Sequence, residues 1–363
     1  MARPRSAPKG NGYSPVRADY RGVVDSSAAL CHALAMVTRP HFQQLVDRAR
    51  NLPPLPAAVV FPCDRDALQI ALSGRFAGYL APVLVGPEKR IADAAAQAGL
   101  DLSHIDVIDT PDEPFAAAQR AAELARSGEV RALIKGSLYP DDLMRAVATP
   151  ESGLRGERRL THAFFVDVPG FARGFVLSDA VLNIAPTLAA KRDIVQNAIE
   201  FAQALGIVKP HVAILSAVEG VTPALPSTGD AAALTKMAAQ GMLTGALVDG
   251  PLTADSALSA AAARANGVES RIAGSADVLV VPGLEAGALL LRTLTGMFGA
   301  LAAGVTLGAK VPVVLSGRGE SMEVRMASCV LASLVAQVPR AAPKSAERQA
   351  GAAPPATIVP VAA

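Results

Sequence analysis

Residues 174–216, which read GFVLSDAVLNIAPTLAAKRDIVQNAIEFAQALGIVKPHVAILS, decide the fold class of this chain. The stretch opens with the short apolar run GFVLSD and closes with a second one, HVAILS. A helix-length segment at 185–206 separates them, in which Pro186 suits the first turn of a helix and Gly206 suits its end. A strand, a helix and a second strand in this order predict two parallel strands joined by a crossover helix.

The same alternation continues through most of the chain. The candidate strands are AAVVF (57–61), APVLVG (81–86), IDVID (105–109), RALIKG (131–136), HAFFVDV (162–168), GFVLSD (174–179), HVAILS (211–216), GALVDG (245–250), ADVLVVP (276–282), AAGVTLG (302–308) and VPVVLSG (311–317). Most of them are continuously apolar, which is typical of strands covered on both faces. The sequence therefore predicts an α/β protein with a largely parallel sheet between two layers of helices.

The alternation breaks between Glu157 and Leu177. Two candidate strands are joined there by VPGFARG, with no helix between them. This pattern predicts a hairpin, and we expect a second domain to begin near it. The Pro- and Ala-rich flanks, a basic arm at 1–24 and a tail at 341–363, are predicted to be disordered.

Composition and charge argue against several classes of protein. The net charge is +2, but the basic excess lies in the flanks, so the body is mildly acidic and lacks the basic surface of a nucleic-acid binder. Cys31, Cys63 and Cys329 are far apart and the histidines are dispersed, which disfavours a metal site or a disulfide framework. No apolar stretch reads as a signal peptide or a membrane span. We therefore expect a cytoplasmic protein with no metal, nucleic-acid or membrane partner.

Polar residues concentrate at the carboxyl ends of the predicted strands, where α/β sheets bind their ligands. These ends read KGS (135–137), LSDAVLN (177–183), LSAVE (215–219), VDGPL (248–252), VPGLEAG (281–287) and LSGRGES (315–321). The first strand is not followed by GxGxxG, and the sequence contains no GxxxxGK[ST]. A Rossmann dehydrogenase and a P-loop enzyme are therefore disfavoured.

From about residue 55 to 335 the chain resembles the phosphate acetyltransferase / phosphate butyryltransferase family. The stretches that carry the resemblance, in the family's order, are LIKGSLYPDDLMRAV (133–147), LSDAVLNIAPTLAAKRDIVQNAIEFAQALGI (177–207), AILSAVEGVTPALPSTGDAAALTKMA (213–238), GALVDGPLTADSA (245–257), AGSADVLVVPGLEAG (273–287) and GAKVPVVLSGRGES (308–321). The resemblance implies a fold like isocitrate and isopropylmalate dehydrogenases, with two domains around a cleft. The implied domains are 25–155 completed by 300–340, and 156–299.

The resemblance also implies an activity. Members of the family interconvert a short-chain acyl-CoA (acetyl or butyryl) plus phosphate with acyl phosphate plus CoA. They are usually homodimers and need no tightly bound cofactor, so coenzyme A and phosphate would be substrates. We expect direct acyl transfer in a ternary complex, in which catalysis comes mostly from positioning and from stabilising the charge on the tetrahedral oxygen.

The candidate catalytic residues for this reaction are Arg318, Arg145, Ser316 and Glu320. Phosphate would be held by Arg318 and Arg145, and Ser316 would substitute for the family's serine from one position earlier. A nearby carboxylate, Glu320 or Glu323, or an adjacent cation would favour the CoA thiolate. In VDGPL, Asp249 would orient its neighbours and Pro251 would start the next turn. The predicted substrate-binding residues are Lys135, Gly136, Ser137, Asp179, Asn183, Ser227, Asp249, Gly250, Pro251, Glu285, Gly287 and Gly319. No metal ligand is predicted.

Each of these side chains also has a structural interpretation, which the sequence leaves open. Arg318 can pair with Glu320 or Glu323, Arg145 can be a surface arginine, and Lys135 can be solvated at its strand end. Asp179 and Asn183 can be a helix cap and a core hydrogen bond, and Ser227 can cap a helix. Glu285 and Gly287 can simply begin a helix.

Three departures from the family's motifs keep a second function open. Gly283 and Ala288 stand where relatives commonly carry aspartate and asparagine, and Gly317 stands where the serine before Arg318 is expected. They raise the alternative of a non-catalytic acyl-CoA-binding or regulatory protein. Ligand binding without turnover would distinguish that protein from an enzyme.

Overall fold

The computed structural model describes residues 39–317 and 319–337. Helices and strands alternate in its first part: α1 (Pro40–Arg50), β1 (Leu55–Val60), α2 (Arg65–Phe76), β2 (Leu80–Gly86), α3 (Glu88–Ala98), β3 (Val107–Asp109), α4 (Pro114–Ser127), β4 (Ala132–Lys135) and α5 (Pro140–Ala148). A short 3₁₀ turn (Pro150–Ser152) precedes the strands β5 (Thr161–Asp167) and β6 (Phe175–Ser178). The remaining elements are α6 (Leu188–Ala204), β7 (His211–Leu215), α7 (Pro226–Ala239), β8 (Leu247–Leu252), α8 (Ala254–Leu258), α9 (Ala260–Ala265), β9 (Val278–Val280), α10 (Leu284–Phe298), β10 (Leu301–Leu307), β11 (Val313–Val314) and α11 (Met322–Gln337).

Within the described residues, the eleven strands form one sheet in the order β3-β2-β1-β4-β11-β10-β5-β6-β9-β7-β8. Each of the eleven candidate strands corresponds to one of them. The pairs on both sides of the sheet are parallel, whereas β11–β10, β10–β5 and β5–β6 in the middle are antiparallel. The predicted α/β class, the largely parallel sheet and the hairpin are therefore confirmed.

The antiparallel pairs in the middle divide the strands into two directions. The strands β1 to β5 and β11 run one way, and β6 to β10 run the other. The carboxyl ends of the two groups consequently lie at opposite edges of the sheet. This division decides which polar strand ends can share one site.

Alternating residues along each strand supply the cores on the two faces. In β1, Ala57 and Val59 belong to the core beneath α1, α2, α3, α6, α7 and α11, whereas Ala58 and Val60 face α4 and α5. A third cluster on β6, β9 and β10 packs with α8 and α10. Apolar side chains on both strand faces thus hold helices on both sides of the sheet, as predicted for the three-layer arrangement.

Helix α6 shows how the local sequence sets the elements. Its N-cap is Thr187, whose side chain accepts a hydrogen bond from the Ala190 amide at 3.3 Å. The helix ends just before Gly206, which has a φ of 98° that glycine adopts without strain. Residues Ile194 and Ala198 lie on its buried face. The crossover helix expected between 174–179 and 211–216 is therefore present.

Two further expectations concern larger-scale organisation. No helix within 39–317 and 319–337 is long and apolar enough to cross a membrane. One sheet runs through all the described strands, and the division into 25–155 plus 300–340 and 156–299 stays a prediction. The arm at 1–24 and the tail at 341–363 lie outside the described residues.

Candidate active site

A cavity lies at the carboxyl ends of three neighbouring strands. Strands β1, β4 and β11 are adjacent and parallel, with Val60 opposite Lys135 and Val314 opposite Ile134, so the turns that follow them meet at one edge of the sheet. The cavity between these turns has a volume of about 170 Å³. Its lining residues are Asp64, Asp66, Ala67, Ile70, Lys135, Gly136, Ser137, Ser316, Gly317 and Arg325.

Hydrogen bonds join the turns after β1 and β4. The Gly136 amide donates to Val60 O and the Ser137 amide to Phe61 O, both at 2.9 Å, and the Cys63 amide donates to Ser137 Oγ at 2.9 Å. The backbones approach so closely that a Cβ on Gly136 would lie 2.4 Å from Val60 O. The pattern KGS is therefore explained by glycine at the point of contact and serine as acceptor for the facing turn.

The turn after β1 carries backbone strain. Phe61 is buried and has a φ of 53°, which is costly for a bulky side chain. Residues held in such conformations cluster at ligand sites, because the surrounding structure must impose them. The strain adds weight to the assignment of a functional site at this edge.

Lys135 and Ser316 bring buried polar atoms to the cavity. Lys135 is only 5% exposed, and its Nζ donates to Gly136 O at 3.1 Å and to Leu138 O at 3.3 Å. Ser316 is 6% exposed, and its Oγ has no hydrogen-bond partner within the part of the chain that the structure describes. A buried hydroxyl with no protein partner is costly, so a ligand that accepts its hydrogen bond would be stabilised there.

Glu320 lies next to these groups on the segment that leads into α11. Burial raises the pKa of the Glu320 carboxyl, while the Gly317 amide and the charges of Arg325 and Lys135 oppose the rise. A carboxyl with a raised pKa beside a cationic cavity can exchange a proton closer to neutral pH than an ordinary glutamate. The role of Glu320 toward the CoA thiol stays a prediction.

The structure describes only one of the two arginines that are predicted to hold phosphate. Arg318 lies outside the described residues, and its role stays a prediction; the following Gly319 is exposed. Arg145 does not line the cavity: its side chain is 59% exposed, pairs with Asp142 at 3.4 Å and stacks over the Phe115 ring at 3.7 Å. In this structure Arg145 therefore has the contacts of a surface helix arginine.

Asp179 and Asn183 lie at the opposite edge of the sheet, at the amino end of β5. The carboxylate of Asp179 accepts hydrogen bonds from the amides of His162, Val181 and Leu182 and from Asn183 Nδ2, at 2.6–3.1 Å. Asn183 also donates to Leu160 O at 3.1 Å. Both side chains are buried and satisfied within the protein. The structure does not bring them to the cavity, and substrate binding by them stays a prediction.

Ser227 and Asp249 are also engaged by neighbouring side chains. Ser227 Oγ is 2.8 Å from Ser216 Oγ, and Asp249 accepts from the Gly250 amide at 2.9 Å and from Ser270 Oγ at 2.6 Å. Ser227 lies on α7, the helix that follows β7, and Asp249 lies within β8. The carboxyl ends of β7 and β8 lie at the edge of the sheet away from the cavity.

The expectation that Pro251 starts the turn after the strand is wrong. Strand β8 continues to Leu252, and both Gly250 and Pro251 lie inside it. Among the described residues, β8 is the last strand of the sheet and pairs only with β7. A proline, which has no N–H, is therefore tolerated in it. A Cβ on Gly250 would lie 2.6 Å from Ile214 O, so close strand packing accounts for the glycine.

Glu285 and Gly287 belong to the first turn of α10. Glu285 is exposed, whereas Gly287 is buried against Ala180 and Val281, with a Cβ at that position only 2.9 Å from both. Helix packing therefore explains the glycine. The substrate roles of both residues stay predictions.

Three charged residues that line the cavity are not indicated by the sequence motifs: Asp64, Asp66 and Arg325. Asp64 caps α2 by accepting from the Ala67 amide at 2.8 Å, and the polar stretch that follows β1 could have indicated this strand end. Arg325 lies one turn into α11, where the sequence gives no sign that the side chain reaches back to the sheet edge.

Together the fold and the cavity define an α/β protein in which buried Lys135, Arg325 and Ser316 line a cavity at the carboxyl ends of parallel strands. A family model described as "Phosphate acetyl/butaryl transferase" matches residues 116–333. The chain belongs to this phosphate acetyl/butyryl transferase family.

Individual relatives cover most of the chain. It is 47% identical over 301 residues to a phosphate acetyltransferase of Rhizobium meliloti, covering 83% of this chain and 95% of the relative. It is 35% identical over 295 residues to a phosphate butyryltransferase of Clostridium acetobutylicum, covering 81% and 98%. Among solved structures, a branched-chain phosphotransacylase from Enterococcus faecalis V583 matches with a TM-score of 0.69 and 29% identity, covering 78% of this chain and 99% of that one.

Proposed function

We propose that this chain is a phosphate acyltransferase that interconverts a short-chain acyl-CoA plus phosphate with acyl phosphate plus CoA. The observation that carries the proposal is the cavity at the ends of β1, β4 and β11, which is lined by buried Lys135 and by Ser316, whose hydroxyl has no hydrogen-bond partner among the described residues. The relatives that match over most of the chain are named as acyltransferases of this kind. They give the non-catalytic alternative no support.

In the forward reaction, a phosphate oxygen attacks the acyl carbonyl carbon. The new C–O bond forms, the C–S bond breaks, and the thiolate leaves with the electron pair and then takes up a proton. Lys135 supplies positive charge beside the phosphate, and the Ser316 hydroxyl donates a hydrogen bond to an oxygen of the reacting groups. We assign Arg318 to phosphate as well, as the sequence motif implies.

In the reverse direction the CoA thiol must lose its proton before it attacks the acyl phosphate. We assign the acceptance of that proton to Glu320, because burial raises the pKa of its carboxyl and makes it a stronger base. The phosphate leaving group then departs from the acyl carbon with its electron pair. Every step uses groups of this chain and its two substrates.

Three further features belong to the proposal. We expect a homodimer, a cytoplasmic location and no requirement for a metal or a tightly bound cofactor. Light scattering on the purified protein tests the dimer. Full turnover after exhaustive treatment with a chelator would support the absence of a metal requirement, and loss of activity that added metal restores would contradict it.

The direct test is phosphate-dependent release of CoA from acetyl-, propionyl- and butyryl-CoA. We expect turnover with at least one of them, strictly dependent on added phosphate, and a Ser316→Ala variant with lowered kcat. Binding of acyl-CoA with no release of CoA at any phosphate concentration would overturn the proposal and favour the non-catalytic alternative.

A further inference from the structure

Two cations that are more than nine-tenths buried line the same cavity from different elements. Lys135 is 5% exposed at the end of β4, and Arg325 is 7% exposed on α11. The sequence motif suggested Arg145 as a cation of this site, but Arg145 does not line the cavity. Within the described residues, Arg325 is therefore the second cation that lines the cavity.

The geometry of α11 explains why the guanidinium reaches the cavity. Arg325 lies in the first turn of a helix that begins at Met322, and long side chains on a helix lean toward its amino end. That end faces the carboxyl edge of the sheet, because α11 follows β11 after a short turn.

Protein contacts fix the plane of the guanidinium. Arg325 Nε donates to Glu320 O at 3.1 Å, and one terminal nitrogen lies 3.4 Å from Asp66 Oδ2. The Asp66 side chain is 60% exposed, so its charge is partly screened by solvent. A guanidinium carries five N–H donors in one plane, which suits two-point contact with a phosphoryl group.

The rest of the cavity also suits a tetrahedral anion. Ser316 Oγ is a hydroxyl without a hydrogen-bond partner in the described chain, and Ser137 Oγ accepts from the Cys63 amide, which leaves its own O–H as a donor. The volume of about 170 Å³ is several times the ~30 Å³ that one water occupies in the liquid. Phosphate has five heavy atoms and fits this space.

We propose that Arg325 is a substrate-binding residue for the phosphoryl group, which it holds together with Lys135 and Ser316. This inference rests on the proposed function and adds a residue to its site. The competing interpretation is that Arg325 only ties α11 to α2 through Asp66. The two interpretations predict opposite results for variants of the pair.

The variants are Arg325→Lys, which keeps the charge but loses the planar fork, and Asp66→Asn, which removes the carboxylate. Arg120→Lys on α4 is the matched control, because Arg120 is an exposed helix arginine paired with Glu123 at 2.9 Å. For each protein we would measure KM for phosphate, KM for acyl-CoA, and Tm with and without inorganic phosphate.

If Arg325 binds the phosphoryl group, Arg325→Lys raises KM for phosphate by about tenfold to a hundredfold, as for loss of a charge-assisted bond. KM for acyl-CoA changes little, and the rise in Tm produced by phosphate shrinks. Asp66→Asn lowers KM for phosphate by roughly twofold to fivefold, because a negative charge leaves the surroundings of an anion. Arg120→Lys behaves as wild type.

If Arg325 is only a tether, Arg325→Lys and Asp66→Asn both lower Tm and leave KM for phosphate unchanged, which would overturn the inference. Should Arg325→Lys fail to fold, the change in KM for phosphate in Asp66→Asn decides between the two interpretations. Wild-type protein without phosphate-dependent CoA release would contradict the proposed function instead. In that case an undiminished phosphate effect on Tm in Arg325→Lys would still refute the role of Arg325.

Discussion

Gly136 is the position where a single methyl group should damage the site most directly. A Cβ there would lie 2.4 Å from Val60 O and 2.9 Å from Phe61 O, and both are backbone atoms that no rotamer change can move aside. The turn after β4 must shift, which stretches the 2.9 Å bonds from the Gly136 and Ser137 amides. For Gly136→Ala we expect a loss of about 1–3 kcal/mol in the free energy of unfolding, the usual cost of overpacking.

The same shift should reduce activity, because Lys135 and Ser137 move with the turn. A displacement approaching 1 Å at reacting groups can cost on the order of 100-fold in rate, so we expect kcat/KM to fall by about tenfold to a hundredfold. Steady-state kinetics and denaturant unfolding measure both effects. Gly229→Ala in α7 is the control, since no atom lies within 4 Å of a Cβ there and alanine favours a helix. A Gly136→Ala protein with wild-type stability and turnover would refute the close-contact argument.

Variants at three other positions test separate features. Burial lowers the pKa of His162 to about 3 from an ordinary 6.5, so the unfolded chain binds a proton that the folded chain excludes and stability falls as pH drops through that window. The free energy of unfolding falls by roughly 2 kcal/mol between pH 6.5 and 5. His162→Gln should flatten that part of the plot of unfolding free energy against pH, and an unchanged slope would contradict this account of His162. Thr306 is opposite His162, and its buried Oγ1 has no partner in the described chain. Thr306→Val should therefore raise the free energy of unfolding by about 1 kcal/mol, and a lower Tm would show that the hydroxyl is satisfied after all. Arg318→Ala should lower kcat/KM roughly tenfold to over a hundredfold with little change in Tm, and Arg318→Lys should recover only part of the loss; normal turnover in the alanine variant would remove the phosphate role of Arg318.

The elements of this fold could be predicted because their patterns are local. The continuous apolar runs, the capped segment before Gly206 and the helix-free link between β5 and β6 each depend on residues close in sequence. The exact ends of the helices and strands could not be predicted from local patterns. Strand β8 extends past Gly250 because it lies at the edge of the sheet, and that position depends on the order of all the strands.

The roles of single polar residues were harder to predict, because a strand end looks the same whether its side chain binds a ligand or the protein. Asp179 directly follows the apolar strand β6, and Lys135 is the last residue of the apolar strand β4. The first accepts four hydrogen bonds from its own chain, whereas the second lines a cavity beside Ser316. Only the partners in space distinguish them, and those partners come from residues far away in sequence.

The reversal of strand direction at β10 is what assembles the site. Strand β10 runs opposite to β4 and leads into β11, which pairs with it antiparallel; β11 therefore runs parallel to β4, and its carboxyl end joins those of β1 and β4. Had β11 run the other way, Ser316 and the amino end of α11 would lie at the edge where Asp179 is found, and Arg325 could not reach the cavity that Lys135 lines. The sequence shows that LSGRGES follows a strand, but the direction of that strand is set by its neighbours. The chemistry of the cavity therefore depends on the pairing of β10, a strand that contributes no residue to its lining.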